Sequence, residues 1–293
     1  MKKTINMGVN VKTIVVPTDF SDPSLTAIHY ATMIASEGNG KIILFHAVSL
    51  HLSATVEEPQ FYAAGELEKI ENEQLHQLRH HIQKRHPKVQ FECISRTGFP
   101  VESIQDIANE VKADLIVMGT RGANGIKGIL VGSNTASLIE QTGIPVLAVP
   151  EESDYNGIRK IVFATNMQKD DVRCLKCIIS MFGNNTPDIT LLHIEDGHLR
   201  DPEAALHSWF HTEVLPQINY PKLFAECISE TDIVKSLDEY LRTNKIDLLV
   251  TATRKRNFIE RIFDRSITRK LVFHTHVPLL ALHAHQPKGE MIL

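Results

Sequence analysis

The chain has 293 residues, about twice the ~150 of a typical single domain, so two domains are expected. With 43% hydrophobic and 23% charged residues it has a globular composition, which excludes a disordered chain. The net charge of −4 gives no global pull toward nucleic acid or a membrane surface, and no apolar run approaches the ~20 residues that cross a bilayer. The opening Met1-Lys-Lys-Thr-Ile-Asn-Met-Gly8 lacks an apolar stretch after its lysines, so a signal peptide is not expected and a cytoplasmic location is.

Taken in chain order, residues 13–18 predict a short Val/Ile-rich strand. Residues 22–37 predict a helix, with Ser21 or Asp22 as N-cap and Pro23 at its first position. A strand at 41–48 follows, then an irregular segment at 49–65 and a polar amphipathic helix at 66–86. Next come a strand at 89–96, a helix at 100–112, a strand at 114–119, a helix from about 132 to 142 and a strand at 145–149. The strands at 14–17, 42–45 and 114–118 are continuous apolar runs, as expected of strands buried on both faces of a parallel sheet. Strand–helix alternation predicts a doubly wound α/β domain.

The chain then repeats itself. At an offset of 147, Lys12-Thr-Ile-Val-Val-Pro-Thr-Asp19 lies on Arg159-Lys-Ile-Val-Phe-Ala-Thr-Asn166, and Ile42-Ile-Leu-Phe-His-Ala47 on Ile189-Thr-Leu-Leu-His-Ile194. At an offset of 133, Asp114-Leu-Ile-Val-Met-Gly-Thr120 lies on Asp247-Leu-Leu-Val-Thr-Ala-Thr253. The second copy has lost 14 residues between its second and third strands. The reading is two tandem α/β domains, 10–150 and 158–285, joined by the polar linker Glu151-Glu-Ser-Asp-Tyr-Asn-Gly157.

The richest stretch is Met118-Gly-Thr-Arg-Gly-Ala-Asn-Gly-Ile-Lys-Gly-Ile-Leu-Val-Gly-Ser-Asn134. Gly119 and Gly122 follow the fourth strand, and Gly132-Ser133 opens the next helix. Glycines let backbone approach a phosphate, and a helix N-terminus offers free N–H groups and the positive end of its dipole. Ser133 can cap that helix or donate to a phosphate oxygen. Asp19 ends the first strand at the same rim, where it could accept from a ribose hydroxyl. Glycines in a loop equally suit a turn before a capped helix.

These residues resemble the universal stress protein family. Its ATP-binding members carry G-x2-G-x9-G-[S/T] here, matched by Gly119, Gly122, Gly132 and Ser133. The V-P-T-D-F-S opening stands as Val16-Pro-Thr-Asp-Phe-Ser21, G-x-P-x-E-x-I as Gly98-Phe-Pro-Val-Glu-Ser-Ile104, and P-V-L-x-V as Pro145-Val-Leu-Ala-Val149. The resemblance covers almost the whole chain and implies two Rossmann-like, adenine nucleotide alpha hydrolase-like domains, each a five-stranded parallel sheet flanked by helices. It implies ATP as ligand, with Mg2+ on the phosphates, although no dedicated carboxylate cluster is evident. Thr18 and Asp19 would line the adenosine end beside Pro17, and backbone near Ala47 would contact adenine. Gly119, Thr120, Arg121 and Gly122, next to Met118, would surround ribose and phosphates. Gly132, Ser133, Asn134 and Thr135 would hold the phosphate chain. The last strands, 145–149 and 278–282, are expected to pair within one chain as a pseudo-dimer. A homodimer and an unidentified protein partner are left open, as are AMP or a cyclic nucleotide in place of ATP.

The second copy departs from this pattern: Asp19 becomes Asn166, Gly119 becomes Ala252, Gly122 becomes Lys255, Gly132 becomes Arg265, and Ser266 alone remains. One nucleotide site per chain is therefore expected, in the first half. Arg261, Arg265 and Arg269 share a helix spacing and read as a solvated face balanced by Glu260 and Asp264, as an alternative to a phosphate, acidic-partner or RNA site. His207 and His211 stand at i, i+4 with His198 nearby; the spacing suits zinc, but no third ligand is assignable and they read as surface residues. Cys174 and Cys177 form a C-x-x-C inside a predicted helix and read as ordinary helix residues. A non-enzymatic regulatory module is expected. The alternatives are an ATP-using enzyme, against which the absence of S-G-G-x-D and H-x-G-H motifs weighs, and a structural module without ligand.

Overall fold

The structure is a computed structural model that describes residues 9–48, 64–120, 132–195, 199–229, 233–253 and 277–283. The first half contains β1 (Thr13–Pro17), α1 (Asp22–Gly38), β2 (Lys41–Val48), α2 (Ala64–Arg85), β3 (Gln90–Thr97), α3 (Pro100–Glu110), β4 (Leu115–Gly119), α4 (Ser133–Gln141) and β5 (Val146–Val149). The second contains β6 (Lys160–Ala164), α5 (Lys169–Phe182), β7 (Asp188–Glu195), α6 (Pro202–Trp209), β8 (Leu223–Ser229), α7 (Ile233–Thr243), β9 (Leu248–Thr253) and β10 (Leu279–His283). Within each half the strands are parallel in the order 3-2-1-4-5, the doubly wound arrangement.

The apolar runs are continuous because successive residues serve opposite faces. Ile14, Val16, Ile42 and Leu44 pack under α1, while Val15, Ile43 and Ile116 pack under α3 and α4. The two sheets then join: β5 pairs antiparallel with β10, Leu147 opposite Leu280, giving one ten-stranded sheet. One face carries a single core shared by α1 and α5, and the other carries two separate clusters. The antiparallel seam sends the carboxyl ends of β1–β5 and β6–β10 to opposite edges of the sheet.

The duplication is visible in the backbone. Among the described residues, six non-glycine residues have left-handed φ, and they form three matched pairs: Phe20 and Met167 (63° and 57°), Asn39 and Thr186 (51° and 47°), Lys112 and Lys245 (50° and 52°). Such conformations cost on the order of 1 kcal/mol each, so their repetition marks turns that the fold itself requires. Asp114 Oδ2 accepts from the Lys12 and Thr13 amides, and Asp247 Oδ2 accepts from those of Arg159 and Lys160, all at 2.9 Å.

Three local expectations need adjusting. Asp22, not Pro23, is the first residue of α1, and its N-cap Ser21 makes no capping bond because its hydroxyl donates to Asp19 instead. Helix α2 begins at 64, so residues 64 and 65 are not irregular; 49–63 lie outside the described residues. The polar linker packs on the first half: Ser153 is buried, and the Tyr155 ring meets Tyr30 edge-on at 4.8 Å.

Candidate functional site

The switch point of the first half lies between β1 and β4, whose neighbours on either side are β2 and β5. In an open α/β sheet the ligand crevice forms there, outside the carboxyl ends. Two chain segments meet at it. The first is the turn Pro17–Ser21. Thr18 is buried, its hydroxyl at 2.9 Å from Ser24 Oγ and accepting from the Phe20 amide at 3.0 Å. Those bonds hold Phe20 at its left-handed φ and leave Asp19 exposed on the rim, where its Oδ1 accepts from the Ser21 amide at 3.1 Å.

The second segment runs from the end of β4 to the start of α4. Met118, Gly119 and Thr120 are buried. The Gly132 amide donates back to the Thr120 carbonyl, so the two ends of the glycine-rich stretch are neighbours. Arg121 and Gly122, with the rest of 121–131, lie outside the described residues. Gly132 is the N-cap of α4, and no side chain caps that helix. Ser133 is therefore the first helical residue and not the cap. Ser133 and Asn134 are exposed at this N-terminus, where free N–H groups and the dipole favour an anion. Thr135 is buried and donates to the Gly119 carbonyl at 3.0 Å, which ties α4 to the end of β4. Its side chain thus aims the helix at the crevice.

Gly119 has a packing reason of its own. A Cβ there would come 2.7 Å from the Pro23 carbonyl oxygen and 2.8 Å from its carbon, closer than real Cβ atoms come. Its small size lets the end of β4 lie against the start of α1, bringing the Asp19 turn and the Gly119–Thr120 end together.

Ala47 stands near the end of β2, half-buried and paired with Arg96 of β3. Its neighbour His46 carries more of the geometry than the sequence indicates. His46 Nδ1 lies 2.7 Å from the Thr18 carbonyl oxygen and Nε2 lies 3.1 Å from Glu71 Oε2 on α2. A carbonyl only accepts, so Nδ1 is the donor toward Thr18, and Nε2 faces the Glu71 carboxylate. The ring pins the turn that presents Asp19 and ties it to α2.

The second half keeps the frame and changes the parts. Thr165 replaces Thr18, with His193 Nδ1 3.0 Å from its carbonyl oxygen. The carboxylate comes from a different place: Glu195, two residues along β7 itself, at 3.3 Å from Nε2. Where Ser24 meets Thr18, Asp171 accepts from the Thr165 hydroxyl at 2.8 Å and from the Gln168 amide at 3.1 Å. Asp171 is 1% exposed and, with Gln168, forms a capping box, so α5 begins with its own buried carboxylate. Ala252 is buried at the position of Gly119. Lys255, Arg265, Ser266 and the stripe of Arg261 and Arg269 lie outside the described residues.

The partners of the two histidines were not foreseen from the sequence. A signal existed: copy alignment sets Glu195 on Val48, a carboxylate in an inward strand position. The two cysteines of the C-x-x-C do lie within α5, Cys174 buried and Cys177 with its thiol pushed up by burial, which makes a poor nucleophile. Among the described residues, no cluster of three or more His, Cys, Asp or Glu could hold a metal, and no helix is long and apolar enough to cross a membrane.

Residues 10–150 match the model of the Universal stress protein family. A universal stress protein of Methanocaldococcus jannaschii is 34% identical over 152 residues, covering 51% of this chain and 88% of that protein. A universal stress protein of Synechocystis is 25% identical over 297 residues, covering 92% of this chain and 99% of that one. Among solved structures, a universal stress protein from Archaeoglobus fulgidus superposes with a TM-score of 0.73 at 18% identity, covering 92% of this chain and 96% of that chain, a likeness of fold.

Proposed function

The chain belongs to the universal stress protein family, and we propose that it is an ATP-binding stress-response or regulatory module of the cytoplasm, with one nucleotide site in its first half and little or no turnover. The observation that carries this reading is the convergence at the β1/β4 switch point. The exposed Asp19 carboxylate, the Gly119–Thr120 strand end and the uncapped N-terminus of α4 border one crevice. A carboxylate suits ribose hydroxyls, and free helix amides suit phosphates. The donor set fits a nucleotide without a protein-held metal: Mg2+ would ride on the phosphates, since no carboxylate cluster stands among the described residues.

Asp19 would orient the ribose, Ser133 and Asn134 would receive the phosphate chain, and backbone near Ala47 would meet the base. A regulatory module acts through a difference in ATP affinity between two conformations.

The test is to denature the purified full chain, identify any co-purified nucleotide and measure its molar ratio, then titrate ATP. One adenine nucleotide per chain is expected. Two per chain would place a working site in the second half, and steady ATP turnover near ~1 s⁻¹ or faster would make the protein an enzyme.

A further inference from the structure

Helix α6 does not end as an ordinary α-helix. Residues Phe210–Val214 continue it as a π-turn, with the Leu215 amide donating to the Phe210 carbonyl at 3.0 Å, an i→i+5 bond. Such widened turns are rare and concentrate at functional positions. This one begins where two histidines face each other. In a regular α-helix, residues at i and i+4 are offset by about 40° around the axis. Between the histidines Trp209 and Phe210 keep ordinary helical dihedrals, and the His207 and His211 rings lie over one another, centroids 4.3 Å apart and Nε2 atoms 3.1 Å apart. Both side chains are exposed. A second pair at the same spacing, His76 and His80, lies on the regular helix α2, and among the described contacts their rings do not meet.

Two imidazole nitrogens facing each other at 3.1 Å have no good arrangement in water beyond a single shared proton. A cation resolves the conflict, because both lone pairs can point at it. With metal–nitrogen bonds of about 2.0–2.1 Å, this separation gives an N–metal–N angle of about 95–100°. That lies between the cis angle of a square-planar or octahedral ion and the tetrahedral angle. We propose that His207 and His211 form a two-histidine chelate for a divalent transition-metal ion, with water in the remaining positions. By the general order of affinities for nitrogen ligands, Cu2+ would bind most tightly and Ni2+ and Zn2+ less so. The site is separate from the nucleotide crevice, on the helix that replaces the longer α2 of the first half, and it stands whether or not the nucleotide reading does.

The protein supplies its own reporter. Its single tryptophan, Trp209, lies between the two histidines in sequence and packs partly into the core. The experiment is a titration of tag-free full-length protein with Cu2+ alone, read by quenching of Trp209 emission, with Zn2+ as a competing ion. Saturable quenching at one ion per chain is expected. His207→Ala and His211→Ala should each weaken it at least about tenfold, since each turns a chelate into a single ligand. A His76→Ala/His80→Ala variant should leave it unchanged. All these side chains are exposed, so the fold should tolerate the changes, checked by circular dichroism. Quenching of equal affinity in His207→Ala, or lost in the α2 variant, would overturn the site.

Discussion

The two halves share a frame down to their left-handed turns, yet the groups that meet the turn after the first strand differ between them. In the first half, Ser24 meets Thr18 with a hydroxyl, and helix α1 starts without a side-chain cap. In the second, a buried aspartate meets the matching threonine and caps its own helix. The lesson is that one frame can hold different polar groups at the same turn. The second half gives its buried Asp171 to the Thr165 hydroxyl and the Gln168 amide, where the first half places the neutral Ser24 and leaves the carboxylate of Asp19 on the exposed side of the turn.

The sharpest way to break the comparison is at the paired histidines. His193→Leu should cost ~3 kcal/mol or more of stability, because Glu195, with a side chain 6% exposed, loses its ring partner while staying out of water. His46→Leu should cost less, ~1–2 kcal/mol, because Glu71 is 24% exposed and can turn to solvent. His46→Leu should also weaken nucleotide binding, which His193→Leu should not. Urea denaturation and calorimetric titration check both. Equal stability losses would mean that the two carboxylates are equivalent despite their burial.

Next in size is Gly132→Asp. Aspartate is a favoured N-cap, so α4 should hold, but its carboxylate would meet the phosphates at the helix start. Nucleotide affinity should fall ~100-fold, about 2.7 kcal/mol, by equilibrium dialysis. Retained full occupancy would move the site elsewhere. Gly119→Ala should then destabilise by ~1–3 kcal/mol, as its methyl meets the Pro23 backbone. The reverse change in the second half, Ala252→Gly, should cost ~1 kcal/mol or less. A thermal melt of the two variants decides whether the glycine is there for packing.

The smallest effect lies at the seam. His283 on β10 donates through Nε2 to the Ile139 carbonyl on α4 at 2.8 Å, and burial pushes its pKa below the usual 6.5. The unfolded chain then binds this proton more readily than the folded one. Its contribution is steady above about pH 6.5 and stability falls as pH drops through the folded pKa. His283→Gln should shallow that acid slope in denaturation curves taken between pH 7 and 5. An unchanged slope would assign it to another group, such as His86, whose pKa is also lowered.

Much of this architecture could be read from residues. Apolar runs of four or five announced strands buried on both faces, and the offsets of 147 and 133 announced the second copy, because burial and turn geometry act locally. The glycine spacing announced the strand end and the helix start on either side of it, which the structure brings together at Thr120 and Gly132. The Glu71 and Glu195 contacts were not legible, since each depends on which element packs over the end of a strand. Nor was the reason for Gly119, which lies in a contact with Pro23, far away in sequence.

By itself, the sequence determined the repeat, the strand–helix alternation of each half and the different residues at the two rim positions, all of which follow from periodicity and residue type. The resemblance anticipated that the last strands pair, and tertiary structure decided that they do so antiparallel. The antiparallel pairing of β5 with β10 makes one sheet of two and turns the rims to opposite edges, because strand ends find partners by shape and hydrogen bonding across the whole chain. Tertiary structure also set two surface histidines of α6 and its extension face to face.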